Sequence, residues 1–169
     1  MVGLSEAIWR MIVLIDGPSG AGKTTFAKKL AGLLNWPLVS MDDLYPGWHG
    51  LAAGSAIAAK QVIGQGGYFP WDWHNNVHGQ WRSVQGEHLI IEGVGALTPA
   101  TLAAARSEGD VLSIVFDGPE QWRKARALAR DPEYEPFWQR WAQQEQFHFS
   151  VMPTPDVYWW MGTPVTASV

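Results

Sequence analysis

Cysteine is absent from this chain of 169 residues, which excludes disulfides, thiolate catalysis and cysteine-ligated zinc together. Charge is sparse: Asp, Glu, Lys and Arg make up 17% of the residues, against roughly 25% in an average soluble chain. Basic residues are the scarcer sign. The net charge is −4 and no basic block occurs, so no nucleic-acid partner is expected. Long apolar runs are missing too. Only five apolar residues follow Arg10 before the first acid, too few for a signal-peptide core or a membrane span, and a cytoplasmic protein with no membrane partner is expected. Repeats, heptads, low-complexity tracts and linker-like stretches do not occur, which points to one domain spanning 1–169. His49, His74 and His78 form no H-E-x-x-H pair, so no zinc site is expected, and no N-K-x-D segment is present to read guanine. With so few charges and 47% apolar residues, the surface has room for an apolar patch and a homodimer. Eleven tryptophans are many for this length and are expected mostly in the core or in a pocket wall.

Against these absences stands one dense stretch, MIVLIDGPSGAGKTTF from Met11 to Phe26. Met11 to Ile15 is a short apolar run of the kind that forms a strand buried on both faces of a parallel sheet. The pattern G-x-x-x-x-G-K-[ST] follows in full: Gly17, then Pro18, Ser19, Gly20 and Ala21, then Gly22, Lys23 and Thr24. Glycines let backbone N–H groups turn inward, so donors from Gly17 through Thr24 and on to Thr25 can converge on phosphate oxygens at the positive end of the next helix. Lys23 supplies a mobile cation for the β- and γ-phosphates, and the Thr24 hydroxyl can ligate Mg²⁺. Phe26, Leu30, Leu33 and Leu34 recur at helical spacing until Asn35, Trp36 and Pro37 end the helix.

The remainder alternates strands and helices. Pro37 to Ser40 reads as a second strand that delivers Met41, Asp42, Asp43, Leu44 and Tyr45 to its end, where ligands collect in open α/β sheets. The two aspartates can ligate Mg²⁺ through water or take a proton from an attacking hydroxyl; alternatively either one caps the next helix. A loop is expected over Pro46 to Gly54, a helix over Ser55 to Ile63 and punctuation from Gln65 to Pro70. Trp71-Asp72-Trp73-His74 suits stacking on a flat hydroxylated molecule, with a hydrogen bond from Asp72, or else packs a sheet edge. His88 to Gly95 is the third strand, with Glu92 at its end facing Mg²⁺ across the loop hydroxyl. Thr98 and Pro99 start a helix that Gly109 stops. Val111 to Phe116 forms the fourth strand. Arg123, Arg126 and Arg130 then share one helical stripe, either a lid over a polyphosphate or a solvated basic face. Phe137 to Phe149 is helical, with Trp138, Trp141 and Glu145 on one face. Val157 to Met161 makes a fifth strand, ending in a turn of Gly162, Thr163 and Pro164 where a base could rest.

GPSGAGKT, MDDLY, LIIEGVG and RKARALARD, in that order, resemble the P-loop small-molecule kinases, and most closely their uridine kinase-like branch, over about Met11 to Asp131. The resemblance implies an α/β, three-layer P-loop NTPase fold. Its five-stranded parallel sheet has the order 2-3-1-4-5, with helices on both faces and a short helical lid at about 123–140. ATP and Mg²⁺ are the implied cofactors, and transfer of the γ-phosphate to a small-molecule hydroxyl, on a nucleoside or sugar-like compound, is the implied activity. Asp42 matches the acceptor-side acid, with Asp43 the alternative in an ambiguous register; Glu92 matches the second-motif acid, and Arg126 and Arg130 the lid arginines. Arg123 can instead stack on adenine. Tyr45, Asp43, Trp71, Asp72 and Trp73 are the expected acceptor contacts. The chain is shorter than uridine kinases and carries the WDW cluster in place of a nucleoside-binding insertion. A P-loop ATPase or nucleotide-dependent switch acting on a protein partner is the competing function, and an ATP-binding domain without catalysis is a third.

Overall fold

The computed structural model describes residues 9–161 and the strand at 163–165. Strand β1 (Met11–Asp16) leads through the glycine-rich loop into helix α1 (Lys23–Leu34), which ends where Asn35 takes a left-handed conformation at φ 54°. A short β2 (Leu38–Ser40) passes into a 3₁₀ turn at Met41–Asp43. Helix α2 (Leu51–Ile57) runs on without a break into a π-helical stretch at Ala58–Ile63. Two small hairpin ladders follow, β3 (Gly67–Tyr68) with β6 (Arg82–Ser83) and, nested between them, β4 (Trp71–Asp72) with β5 (Val77–His78). The chain returns to the main sheet as β7 (Leu89–Glu92), α3 (Pro99–Glu108) and β8 (Asp110–Asp117). Helix α4 (Glu120–Arg130), a 3₁₀ segment at Pro132–Phe137, α5 (Trp138–Val151), β9 (Val157–Trp160) and β10 (Thr163–Val165) complete it.

The sheet has the order β10-β9-β8-β1-β7-β2, with every neighbouring pair parallel except β10 against β9. Counting the parallel strands alone, the order is 2-3-1-4-5. Side chains of β1 alternate between two cores: Ile12 and Leu14 pack with α2, α3 and α5, whereas Val13 and Ile15 pack with α1. That alternation is the period-2 geometry of a strand covered on both faces, and it explains why Met11 to Ile15 is apolar without interruption. Because β1 lies between β7 and β8, the chain crosses to opposite sides of it, and the crevice at its carboxyl end falls beside the glycine-rich loop. At the start of α3, Thr98 and Thr101 form a reciprocal cap around Pro99, as the residue types require. Among the described residues no helix is long and apolar enough to cross a membrane.

Several local expectations are corrected. The helix expected from Ser55 begins at Leu51, because Gly54, which reads as a loop residue, lets the helix press onto the Tyr45 ring where a side chain would collide. Within the stretch Gln65 to Pro70, Gly67 and Tyr68 form a hairpin strand, and so do Trp71 and Asp72 of the WDWH cluster, whose Trp73 and His74 turn; the two-residue ladders are too short to show a period. Leu33 and Leu34 face outward, since α1 buries only its Lys23 and Ala27 side with partial cover from Phe26 and Leu30. Thr163 and Pro164 belong to β10, paired with Trp160 and Trp159, so the expected turn is not built from them; Gly162 lies outside the described residues. Most tryptophans lie in core or cavity wall as expected, and Trp9, Trp81, Trp122 and Trp160 are the exposed exceptions.

Gly17 sits at φ 134°, and a Cβ there would collide with the carbonyl oxygen of Phe116 on β8. Gly17→Ala is therefore expected to destabilise the fold by at least about 1 kcal/mol, since both the backbone conformation and the space oppose it. Chemical denaturation checks this; an unchanged midpoint would show that the loop can move off β8.

Candidate active site

A cavity of about 560 Å³ opens at the carboxyl ends of β1, β2 and β7. Its floor is the glycine-rich loop. Gly22, at φ 98°, is the N-cap of α1 and offers no capping side chain, so the first-turn N–H groups of the helix stay open toward the cavity. Ser19, Gly20, Gly22, Lys23, Thr24 and Thr25 line this floor, while Gly17 and Ala21 are buried beneath it. Lys23 is buried, and its Nζ donates to the Pro18 carbonyl at 2.9 Å. Burial pushes the Lys23 ammonium down, and the carboxylates of Glu145, Glu92, Asp16 and Asp42 oppose that shift.

Two acids meet the floor. Glu92, buried at the end of β7, accepts from Thr24 Oγ1 at 3.1 Å and from Ser40 Oγ at 2.9 Å, and burial raises its carboxyl above the usual range. Asp42 lies across the cavity in the 3₁₀ turn, whose entry is capped by Ser40, so neither aspartate is spent as a cap. Its carboxylate is reached by water in the open cavity although protein crowds it from most sides. Crowding raises its pKa, Lys23 and Arg130 oppose the rise, and Asp43 adds to it. Asp43 points elsewhere: it accepts from Arg82 at 3.0 Å and from the Tyr68 hydroxyl at 3.1 Å, which ties the 3₁₀ turn to the β3–β6 hairpin. The ambiguous pair is thus separated by direction, with Asp42 alone lining the cavity.

Arg126 and Arg130 reach the cavity from α4 and are exposed there. Arg123 does not line it. Its guanidinium is mostly covered and donates to the Gly118 carbonyl at 2.8 Å and to the Ser19 carbonyl at 3.3 Å, beside Asp117, which leaves it braced against the loop rather than free to stack on a base. The far wall is aromatic. Trp48 stacks on Phe137 at 4.4 Å and on Tyr134 at 5.1 Å, with Trp73 tilted against it and Trp141 at its edge. The polar tips of these rings are largely used by the protein itself: Trp73 Nε1 donates to the Asp42 carbonyl and the Tyr45 hydroxyl to the Val94 carbonyl. Ring faces and edges are left to the cavity. Of the WDW cluster only Trp73 lines it. Asp72 instead accepts from the His74 and Asn75 N–H groups and the Asn75 amide, closing its own turn, and Trp71 packs edge-on against His78. Asp and Asn side chains commonly bond the backbone two or three residues on, and both Asp72 oxygens are engaged within such a turn.

Three polar residues behind the cavity escape sequence reasoning. Asp16, fully buried, accepts the N–H groups of Gly17, Gly95 and Leu97, and lies 2.9 Å from His148 Nε2. It thereby ties the start of the glycine-rich loop, the turn after Glu92 and α5 together. Glu145, buried on α5, takes both donors of Ser19. The only signal was an acid and a histidine on a helical face otherwise marked by Trp138 and Trp141, which reads as a packed face.

No protein-family profile matches the chain, and no curated protein sequence matches it. Solved structures do. A candidate fructose transport system kinase from Silicibacter sp. TM1040 superposes with a TM-score of 0.65 at 16% identity, over 89% of this chain and 89% of that one. A gluconokinase from Sinorhizobium meliloti 1021 gives 0.52 at 14% identity over 95% and 84%, and a sugar kinase from Janibacter sp. HTCC2649 gives 0.50 at 17% over 92% and 84%. At these identities the likeness is one of fold. The chain has the fold of the P-loop small-molecule kinases, with the glycine-rich loop, the acid at the end of β7 and the helix that carries Arg126 and Arg130 gathered around one cavity.

Proposed function

We propose that this chain is an ATP-dependent phosphotransferase that moves the γ-phosphate to a hydroxyl of a small molecule, a nucleoside or sugar-like compound. One observation carries the reading: a single cavity gathers the open N-terminus of α1, Lys23, the Thr24–Glu92 pair, Asp42, two arginines and an aromatic wall. Thr24, Glu92 and Asp42 supply the hard oxygen donors that suit Mg²⁺, which when bound would offset charge on the β- and γ-phosphates. Lys23 and the loop N–H groups hold the polyphosphate. Asp42 takes the acceptor hydroxyl proton as that oxygen bonds to the γ-phosphorus and the bond to the ADP oxygen breaks. Arg126 and Arg130 stabilise charge on the group in transfer, and the aromatic rings of the far wall orient the acceptor and exclude water.

The MDDLY segment and the arginine helix support a reading nearest the uridine kinase-like branch, as a single domain whose lid spans about 123–140. A switch acting on a protein partner has no use for an enclosed aromatic wall opposite the phosphate floor. Incubation with Mg·ATP and a metabolite extract, followed by mass spectrometry for new phosphorylated species, tests the reading. A phosphorylated small molecule is expected; ATP turnover that no small molecule alters would favour the switch. The lid gives a second test. Arg126→Ala and Arg130→Ala are expected to lower turnover by roughly tenfold to a thousandfold with a smaller change in ATP affinity, because the groups act mainly on transition-state charge. Steady-state kinetics checks the split, and equal turnover in both variants would make the stripe a solvated face.

A further inference from the structure

Ser19 is gripped through each of its polar atoms by α4, the 3₁₀ segment and α5. Its N–H and its hydroxyl both donate to Glu145 Oε1, at 2.8 and 2.7 Å. With that proton committed, the Ser19 oxygen accepts from the Tyr134 hydroxyl at 3.0 Å. The Ser19 carbonyl accepts from Arg123 at 3.3 Å. These partners stand 126, 115 and 104 residues along the chain, on α5, the 3₁₀ segment and α4 respectively. Glu145 is buried and does not line the cavity, so water does not replace its bonds to Ser19 if they break. Ser19 and Tyr134 line the cavity, but Glu145 does not; it touches the loop from behind. A carboxylate so placed acts through the loop's geometry and through its charge beside Lys23. Burial raises the Glu145 carboxyl above the usual range, and the two hydrogen bonds from Ser19, then Lys23 and Arg123, oppose that rise.

We propose that Glu145 is a positioning residue: it sets Ser19 and, together with Tyr134, makes docking of the lid and the nucleotide-receiving form of the loop a single event. This rests on the nucleotide-binding reading above. The coupling is reciprocal, so nucleotide on the loop must also steady the lid.

Mg·ADP is the probe, with calorimetry for affinity and hydrogen exchange over residues 131–138 for the lid. In the unaltered chain Mg·ADP is expected to slow that exchange about tenfold or more. In Glu145→Ala the slowing should fall below about threefold and the Kd should rise by about the factor that the slowing loses, because the coupling is reciprocal, while binding itself is retained through the phosphate donors of α1. Glu145→Gln should keep most of it, since the amide oxygen still accepts from Ser19. Tyr134→Phe keeps the ring on Trp48 yet should lose the slowing, and it decides the matter if Glu145→Ala fails to fold. Full slowing in the variants overturns the inference. An unaltered chain that binds Mg·ADP without slowing overturns it too, and leaves the kinase reading standing; a chain that binds no Mg·ADP removes that reading and this one with it.

Discussion

Asp42→Asn is expected to lower phosphoryl transfer by roughly two to four orders of magnitude, the usual worth of general-base catalysis, while Mg·ATP binding changes far less. Asparagine keeps the size and hydrogen-bonding shape of the side chain and removes only the charge. The structure makes this a cleaner test than two adjacent aspartates would suggest, because Asp43 is held by Arg82 and Tyr68 and cannot take over the proton. On the proposed reading Thr24 and Glu92, paired at 3.1 Å, would remain as oxygen donors for Mg²⁺. A pH signature accompanies the loss. Asp42 works as a base only when deprotonated, and crowding by protein raises its pKa. The rate should therefore climb with rising pH through a midpoint above the ordinary carboxylate value of about 4, and displacement of cavity water by the acceptor should move that midpoint up further. In Asp42→Asn the limb should vanish. A profile that keeps the limb in the variant would assign it to Glu92, whose carboxyl is also raised by burial. Collapse of ATP binding together with transfer would instead make Asp42 mainly a metal-site residue.

Lys23→Ala should abolish transfer, by at least about a thousandfold, because the other cations at the cavity, Arg126 and Arg130, reach it from the lid side and none replaces an ammonium rising from the floor. The fold should survive. Lys23 is buried at a cost visible in its lowered pKa, and its one hydrogen bond, to the Pro18 carbonyl, is local. Its removal takes away a charge that opposes the raised pKa of Glu92, Glu145 and Asp42. Their protonation is then favoured, so residual activity in the variant should need a higher pH than the parent. Circular dichroism and turnover measured together check this. Unchanged turnover would remove the phosphate-loop reading altogether.

The sequence by itself determined the elements whose signals are local. An uninterrupted apolar run bounded by glycine is a strand buried on both faces; a proline after threonine starts a helix; glycines at fixed spacing before lysine leave the N–H groups of a helix start uncapped. Those features depend on neighbours a few residues away, and the order of strands and helices followed from them, as did the convergence of Lys23, Thr24, Glu92 and Asp42 at the strand ends. Tertiary structure alone decided direction and partnership. Asp42 and Asp43 are equivalent in the sequence and diverge because a hairpin two dozen residues away supplies a hydroxyl and a guanidinium to only one of them. Arg123 shares its stripe with Arg126 and Arg130, yet it is drawn onto a carbonyl of the loop that passes beneath α4. Asp72 resembles a ligand contact until its own turn claims both oxygens. Glu145 and Tyr134 meet the loop across more than a hundred residues of chain, and Asp16 meets Gly95 and Leu97 across 79 and 81, and a hydrogen bond leaves no periodic trace in a sequence. Hydrophobic burial repeats along an element and can be read from its period, whereas each polar contact is made once, between atoms that only the folded chain brings together.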